Sequence, residues 1–190
     1  PNLIFSVSTF FGNIFLGLLS PVLWGLLQGY QQKRILTLFN PEIDPLGAAY
    51  QIIQSKTAIG AGGLFGKGWG QGTQTHLKFL PVQESDFIIS VVGEEFGFIA
   101  IIILLILFSY FILRTIRLAF IIDDRFSSLV LVGLSTIITA HVFVNFAMTV
   151  GIIPVKGLPL PFVSYGGSFL LSSYIMTAII MNVSIDPKDY

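Results

Sequence analysis

Long apolar blocks alternate with polar stretches along the chain, and the blocks are longer than a soluble core requires. A bilayer core of roughly 30 Å takes about 20 apolar residues in a helix. Four segments approach that length, at about 3–27, 87–113, 127–150 and 164–183. The first is interrupted only by Ser, Thr, Gly, Asn13 and Pro21, and the second has a strongly apolar centre at 98–108. Four such helices in 190 residues leave too little polar surface to cover them in water. The pattern predicts an all-α polytopic membrane protein with four transmembrane helices.

Between the first two blocks, residues 28–85 form a polar stretch with Lys33, Arg34, Lys56, Lys67, Lys78, Pro41, Pro45 and a glycine cluster from Gly60 to Gly72. Its aromatic and aliphatic content is too high for disorder, so it reads as a large structured loop. Residues 45–59 predict a short amphipathic helix with Leu46, Tyr50 and Ile53 on one side. The short loop between the second and third blocks carries Arg114, Arg117 and Arg125, whereas the next loop carries only Lys156. By the positive-inside rule the Arg loop is cytoplasmic, and the large loop and the 154–161 loop lie outside.

Composition supports lipid as the solvent. Charged residues make up 11% of the chain and hydrophobic residues 54%, against about 25% charged in a soluble domain. Ten basic and ten acidic residues give no basic excess, so nothing points to nucleic acid. Cysteine is absent, which excludes a disulfide framework and thiolate metal sites. The chain begins at Pro1 with no basic n-region ahead of the first apolar block. The expectation is a piece of a longer chain without a signal peptide.

Polar groups inside the blocks are the candidate chemistry, because a carboxylate at the bilayer centre costs about 2.5–3.5 kcal/mol on insertion scales. In the second block Asp86, Ser90, Gly93 and Gly97 fall on one stripe at 100° per residue, with Glu94 on its flank and Glu95 opposite. This describes a small, polar face topped by an acid; equally, Asp86 reads as a helix N-cap. In the third block His141, Asn145 and Thr149 share a face, best read as hydrogen-bonded helix packing. Ser164, Ser168 and Ser172 repeat the step in the fourth, beside Gly166 and Gly167, and packing is the better reading there too. The run Gly60 to Gly68 is not a phosphate loop: Ala61 stands at the first glycine position and Gly68 follows Lys67. A glycine-rich turn with close backbone approach is the better description. His76 and His141 have no metal-ligand spacing.

Two stretches are similar to the SEDS family (shape, elongation, division and sporulation). The first runs from Asp44-Pro45-Leu46-Gly47 through Gln54-Ser55-Lys56, Gly62-Gly63-Leu64 and Gly66-Lys67-Gly68-Trp69. It continues through Gly72-Thr73-Gln74, Phe79-Leu80-Pro81, Asp86-Phe87-Ile88 and Gly93-Glu94-Glu95. The second is Pro154 to Gly157, Pro159-Leu160-Pro161-Phe162 and Ser164-Tyr165-Gly166-Gly167-Ser168. Within the family the Gly-Lys-Gly-Trp and Gly-Thr-Gln pieces resemble the elongation member, RodA. Lys156-Gly157-Leu158 resembles the division member, FtsW. The resemblance implies the C-terminal part of a roughly ten-helix membrane fold, with residues 28–85 as the large extracellular loop. It implies a glycosyltransferase that polymerises lipid II at the outer face of the bacterial cytoplasmic membrane during elongation of rod-shaped cells. It further implies pairing with a class B penicillin-binding protein among other elongation-complex membrane proteins.

Asp86 matches the family's essential aspartate. The family's Pro-Glu-x-His-Thr-Asp reads Pro81-Val82-Gln83-Glu84-Ser85-Asp86 here, so the Glu and His are lost and Glu84 replaces part of that polarity. In glycan polymerisation a sugar hydroxyl attacks an anomeric carbon and expels a lipid pyrophosphate. Asp86 is the candidate base, or the ligand of a divalent metal (Mg or Mn) that shares that work. Lys33, Arg34, Lys56 and Lys67, with Gln54 and Ser55, are candidates for substrate binding. Glu84, Ser90 and Glu94 are candidate supports of the site. Two alternatives remain at this point: a lipid flippase or transporter using the polar stripes, and a non-catalytic scaffold of the cell-wall synthesis complex.

Overall fold

A computed structural model describes residues 19–40, 47–73 and 85–185, together with Gly17 and Ile43. All regular structure among the described residues is helical: α1 (Gly29–Phe39), α2 (Ala48–Gly62), α3 (Ile88–Ile121), α4 (Arg125–Thr149) and α5 (Gly167–Ile185). Residues 19–26 are also helical, as is Gly17, and residues 3–16 and 18 of the first expected span lie outside the described residues. α3, α4 and α5 are each long and apolar enough to cross a membrane. Ile102, Ile103, Ile106 and Leu107 of α3 are exposed, as are Phe143 of α4 and Leu171 and Ile175 of α5. Apolar surface on this scale, apolar all round the helix, is what lipid covers.

The boundaries differ from the sequence reading in ways that have local causes. α3 continues past 113 to Ile121, carrying Arg114 and Arg117 within the helix rather than in a loop. α4 starts one residue after Asp124, whose carboxylate caps it by accepting the N–H groups of Phe126 (3.4 Å) and Ser127 (2.8 Å). The Ser127 side chain, together with those backbone bonds, holds the Asp124 carboxyl below its usual range. Among the described residues the expected loop contains α1 as well as α2, where only the second was expected. In α2 the buried side is Ala49, Ile52, Ser55 and Ala58; of the residues expected to share one side, Ile53 is exposed, Tyr50 is half-buried and Leu46 lies outside the described residues. α2 approaches α3 closely, with Gly62 against the Gly93 carbonyl and Ile59 over Gly93.

That approach ends at a break in α3. Gly97 has φ 82° and ψ −178°, a conformation essentially confined to glycine. In an unbroken helix the N–H groups of Phe98 and Ile99 would pair with the carbonyls of Glu94 and Glu95. Instead the turn that follows α2 takes up all four groups. Lys67 and Gly68 donate to the Glu94 and Glu95 carbonyls (2.9 Å each). Phe98 and Ile99 donate to the Gly63 and Leu64 carbonyls (2.9 and 3.2 Å). Where water is excluded, freed backbone groups need such partners. A Cβ on Gly97 would sit 2.4 Å from the Gly66 nitrogen and the Leu64 oxygen, so the two backbones meet without side chains between them. The glycine run is thus a close-approach turn, as its sequence suggests.

Candidate functional site

Asp86 stands half-buried immediately before α3. It does not cap the helix: Phe87 is the N-cap residue and no side chain caps it. The Asp86 carboxylate instead accepts the Ser85 hydroxyl (3.0 Å), and its backbone is gripped from two sides. Asn145 of α4, fully buried, donates from Nδ2 to the Asp86 carbonyl (3.1 Å) and to the Leu158 carbonyl (2.8 Å). Buried Ser164 donates to the Ser85 carbonyl (2.5 Å) and accepts the Leu160 N–H (2.8 Å). The 154–164 loop is therefore wrapped around Asp86. Gly157, at φ +65°, lies close against the acid: a Cβ there would sit 3.3 Å from Asp86 Oδ2.

The polar face of α4 serves this arrangement. His141 Nδ1 is 3.2 Å from the Pro159 carbonyl and its ring lies against Phe169. Thr149 donates to the Asn145 carbonyl (2.5 Å). Ser55 of α2 then donates to the Thr149 carbonyl (2.6 Å) and shares a 2.7 Å hydrogen bond with Ser90 of α3. His141, Asn145 and Thr149 are a packing face, as their spacing suggests. The serine stripe is different: Ser164 belongs to the loop, since α5 begins at Gly167, and the fully buried serine of α5 is Ser173 rather than Ser168 or Ser172. Ser164→Ala should cost about 1–3 kcal/mol, because it leaves the Leu160 N–H and the Ser85 carbonyl without their partner in a buried place. A fall in the unfolding midpoint in detergent checks this; an unchanged midpoint would show that water replaces the hydroxyl.

The candidate cations divide. Arg34 donates to the Val155 carbonyl (3.0 Å) and lies 6.0 Å from the Tyr30 ring centroid. With Lys156 it lines a cavity of about 560 Å³ between α1 and the 154–158 segment, walled also by Tyr30, Gln31, Pro154 and Leu158. Leu158 lines the cavity and shares the Asn145 amide with Asp86, so the cavity opens beside the acid's support. Lys156 was not singled out from sequence; its signal was its place beside Gly157 in the second family-like stretch. Lys33 is exposed on α1 and does not line the cavity. Lys56 lies across Gly151, where a Cβ would come within 2.9 Å of its Nζ. Gln54 is half-buried on α2.

Two of the substrate-binding candidates are committed elsewhere. Ser55 is fully buried in the α2–α3–α4 contact and has no surface to offer a substrate. Lys67 Nζ is 3.0 Å from Glu94 Oε1, and Glu94 is fully buried. Thr73 joins them, accepting from Lys67 (2.7 Å) and donating to Glu94 (3.1 Å). Glu94 and Ser90 thus act by holding α2 and its turn to α3. Glu84 lies outside the described residues.

A divalent metal fits this site only as a sparsely held ion. Among the described residues no three His, Cys, Asp or Glu side chains converge as a ligand set. Asp86 supplies one carboxylate, which suits Mg²⁺ that keeps its waters and binds substrate phosphates.

The family model described as cell cycle protein FtsW/RodA/SpoVE matches residues 4–189. Peptidoglycan glycosyltransferase MrdB of Escherichia coli (strain K12) is 47% identical over 169 residues, 88% of this chain and 46% of that protein. Probable peptidoglycan glycosyltransferase FtsW of Trichlorobacter lovleyi is 46% identical over 159 residues, 84% of this chain and 42% of that protein. Peptidoglycan glycosyltransferase RodA of Treponema pallidum is 42% identical over 159 residues, 84% of this chain and 37% of that protein. The chain spans less than half the length of these relatives. A solved structure described as "Structural coordination of polymerization and crosslinking by a peptidoglycan synthase complex" superposes with a TM-score of 0.70 at 28% identity, covering 95% of this chain and 49% of that one.

Proposed function

The chain belongs to the FtsW/RodA/SpoVE family of cell cycle proteins, and on that premise we propose that the full-length protein is a peptidoglycan glycosyltransferase. It polymerises lipid II into glycan strands at the outer face of the cytoplasmic membrane, in elongation of rod-shaped cells. The observation that carries this reading is Asp86, a half-buried carboxylate whose backbone is held against the 154–164 loop, the same loop that walls a cavity lined by Arg34 and Lys156.

In the reaction, an acceptor sugar hydroxyl attacks the donor's anomeric carbon. The new glycosidic C–O bond forms as the bond to pyrophosphate breaks, and the electron pair leaves with the lipid pyrophosphate. Asp86 accepts the hydroxyl proton. Arg34 and Lys156 offset the charge that develops on the leaving pyrophosphate. Gly157 keeps the space in front of the carboxylate open. A divalent metal, when bound, would be held by Asp86 and would neutralise pyrophosphate charge. Residues 28–85 and the 154–164 loop lie outside the cell, with Arg114, Arg117 and Arg125 at the cytoplasmic side. A class B penicillin-binding protein and other elongation-complex membrane proteins are the partners, in line with the synthase-complex structure that the chain resembles. The polar faces of α3 and α4 that favoured a transporter are taken up in internal hydrogen bonds.

The test is a gel assay for glycan strands from purified lipid II, using the full-length protein with its penicillin-binding partner, with and without chelator. Polymer is the expected product. A folded complex that moves lipid II between leaflets and makes no polymer would overturn the reading in favour of transport. Normal partner binding with neither activity would favour the scaffold.

A further inference from the structure

Far from Asp86 in sequence, the end of α3 has a second built feature. Arg114 and Arg117 lie one turn apart on the helix, and both line a cavity of about 530 Å³ between the ends of α3 and α5. Its other walls include Phe111, Leu118, Ile180 and Met181, with Ser184 at the rim. Neither arginine takes part in an ion pair or hydrogen bond among the described residues. The helix does not end at these charges. It continues for another turn with Phe120 (84% exposed) and Ile121 (69%), and after a three-residue connection that carries Asp123 and Asp124, α4 begins at Arg125 with Phe126 (75%) exposed in its first turn. A pair of guanidiniums flanked on both sides by exposed apolar side chains belongs at the phosphate level of a bilayer, not in open water.

We propose that Arg114, Arg117 and the groove between α3 and α5 bind an anionic phospholipid of the adjoining leaflet. The guanidiniums take the phosphate as planar, multi-donor groups, Ser184 offers a further polar contact at the headgroup, and one acyl chain lies along Ile180, Met181 and Phe111. Charge complementarity selects lipid over another helix: an apolar helix laid in the groove would bury two arginines without an acid to meet them. A soluble phosphate would meet the arginines but leave the apolar walls uncovered.

The experiment uses the full-length protein reconstituted in phosphatidylcholine bilayers with or without phosphatidylglycerol, then extracted gently and weighed by native mass spectrometry. Wild type should retain phosphatidylglycerol in preference to phosphatidylcholine. Arg114→Gln/Arg117→Gln should lower that retention by roughly ten- to thirtyfold. Arg114→Lys/Arg117→Lys, which keeps both charges, should restore a large part of it, and its folding controls for the double variant. Arg125→Gln, outside the groove, should change retention little. Equal retention of the two lipids by wild type, or an equal loss in Arg125→Gln, would overturn the proposal, the first by showing a groove filled otherwise and the second by showing general surface charge. The outcome is independent of whether the protein polymerises lipid II.

Discussion

Asp86→Asn in the full-length protein is expected to lower polymer formation from lipid II by roughly 10²–10⁴-fold, the range for losing a positioned general base. The substitution is close to isosteric, and the amide oxygen still accepts the Ser85 hydroxyl. Asn145 and Ser164 hold the backbone here, through the Asp86 and Ser85 carbonyls, and those bonds do not depend on the side chain. Membrane insertion, partner binding and the unfolding midpoint should therefore match wild type. Asp86→Glu gives the complementary result. It keeps the carboxylate but displaces it by one methylene, and a misplacement on the order of 1 Å is enough to cost a large part of the rate. It should keep part of the activity at best. The comparison separates chemistry from architecture: a merely structural aspartate would show a lowered midpoint in the Asn variant, with activity falling in proportion. Wild-type activity in Asp86→Asn would remove the residue from the mechanism.

The difference between what could and could not be read in advance follows the range of the interactions. α3, α4 and α5 were legible because lipid imposes a long apolar run on each helix independently of its neighbours. Asp86 was singled out through its family-like surroundings, and Ser90, Gly93 and Gly97, which share its stripe, are buried. The glycine run was legible as a place of close backbone approach, but not its partner, since nothing local says that Gly62 will meet Gly93 or that Gly66 will meet Glu95. The roles of Lys67 and Ser55 were misread for the same reason. Charge and hydroxyl chemistry suggest a ligand, while the acid that engages Lys67 lies 27 residues away. α1 was missed because it is short and, with Gln31, Gln32, Lys33 and Arg34 in succession, polar enough on average to read as part of the loop. Among the described residues it is anchored by Arg34, which reaches a carbonyl in a loop 121 positions on, and by buried Thr37.

Lys67→Met should destabilise the protein more than Glu94→Gln, although the two residues form one pair. Glu94 is fully buried and Lys67 is 29% exposed. Removing the lysine takes a cation from 3.0 Å of a carboxylate that cannot reach water, a change of about 3–5 kcal/mol for a buried pair. The partial exposure of Lys67 places the expected value at the lower end of that range. Removing the carboxylate is milder. The amide oxygen of the substituted side chain would still accept the Thr73 hydroxyl, and the lysine ammonium can turn to solvent, so about 1–3 kcal/mol is expected. The double variant Lys67→Met/Glu94→Gln should be more stable than the sum of the two losses predicts, with a coupling of about 0.5–3 kcal/mol. Unfolding midpoints of the full-length protein in detergent supply all four corners of the cycle. The same pair is tied a second time through the backbone, Lys67 N–H to the Glu94 carbonyl, at the carbonyl that the Gly97 break leaves open. Loosening the lysine therefore loosens the turn that satisfies the break, and with it the first half of α3, at whose head Asp86 stands. Polymer formation in Lys67→Met should fall even in the fraction that stays folded, and Lys67→Arg should recover it. Equal and additive effects of the two single changes would show instead that the pair is an ordinary solvated contact and that the backbone bonds alone hold the break.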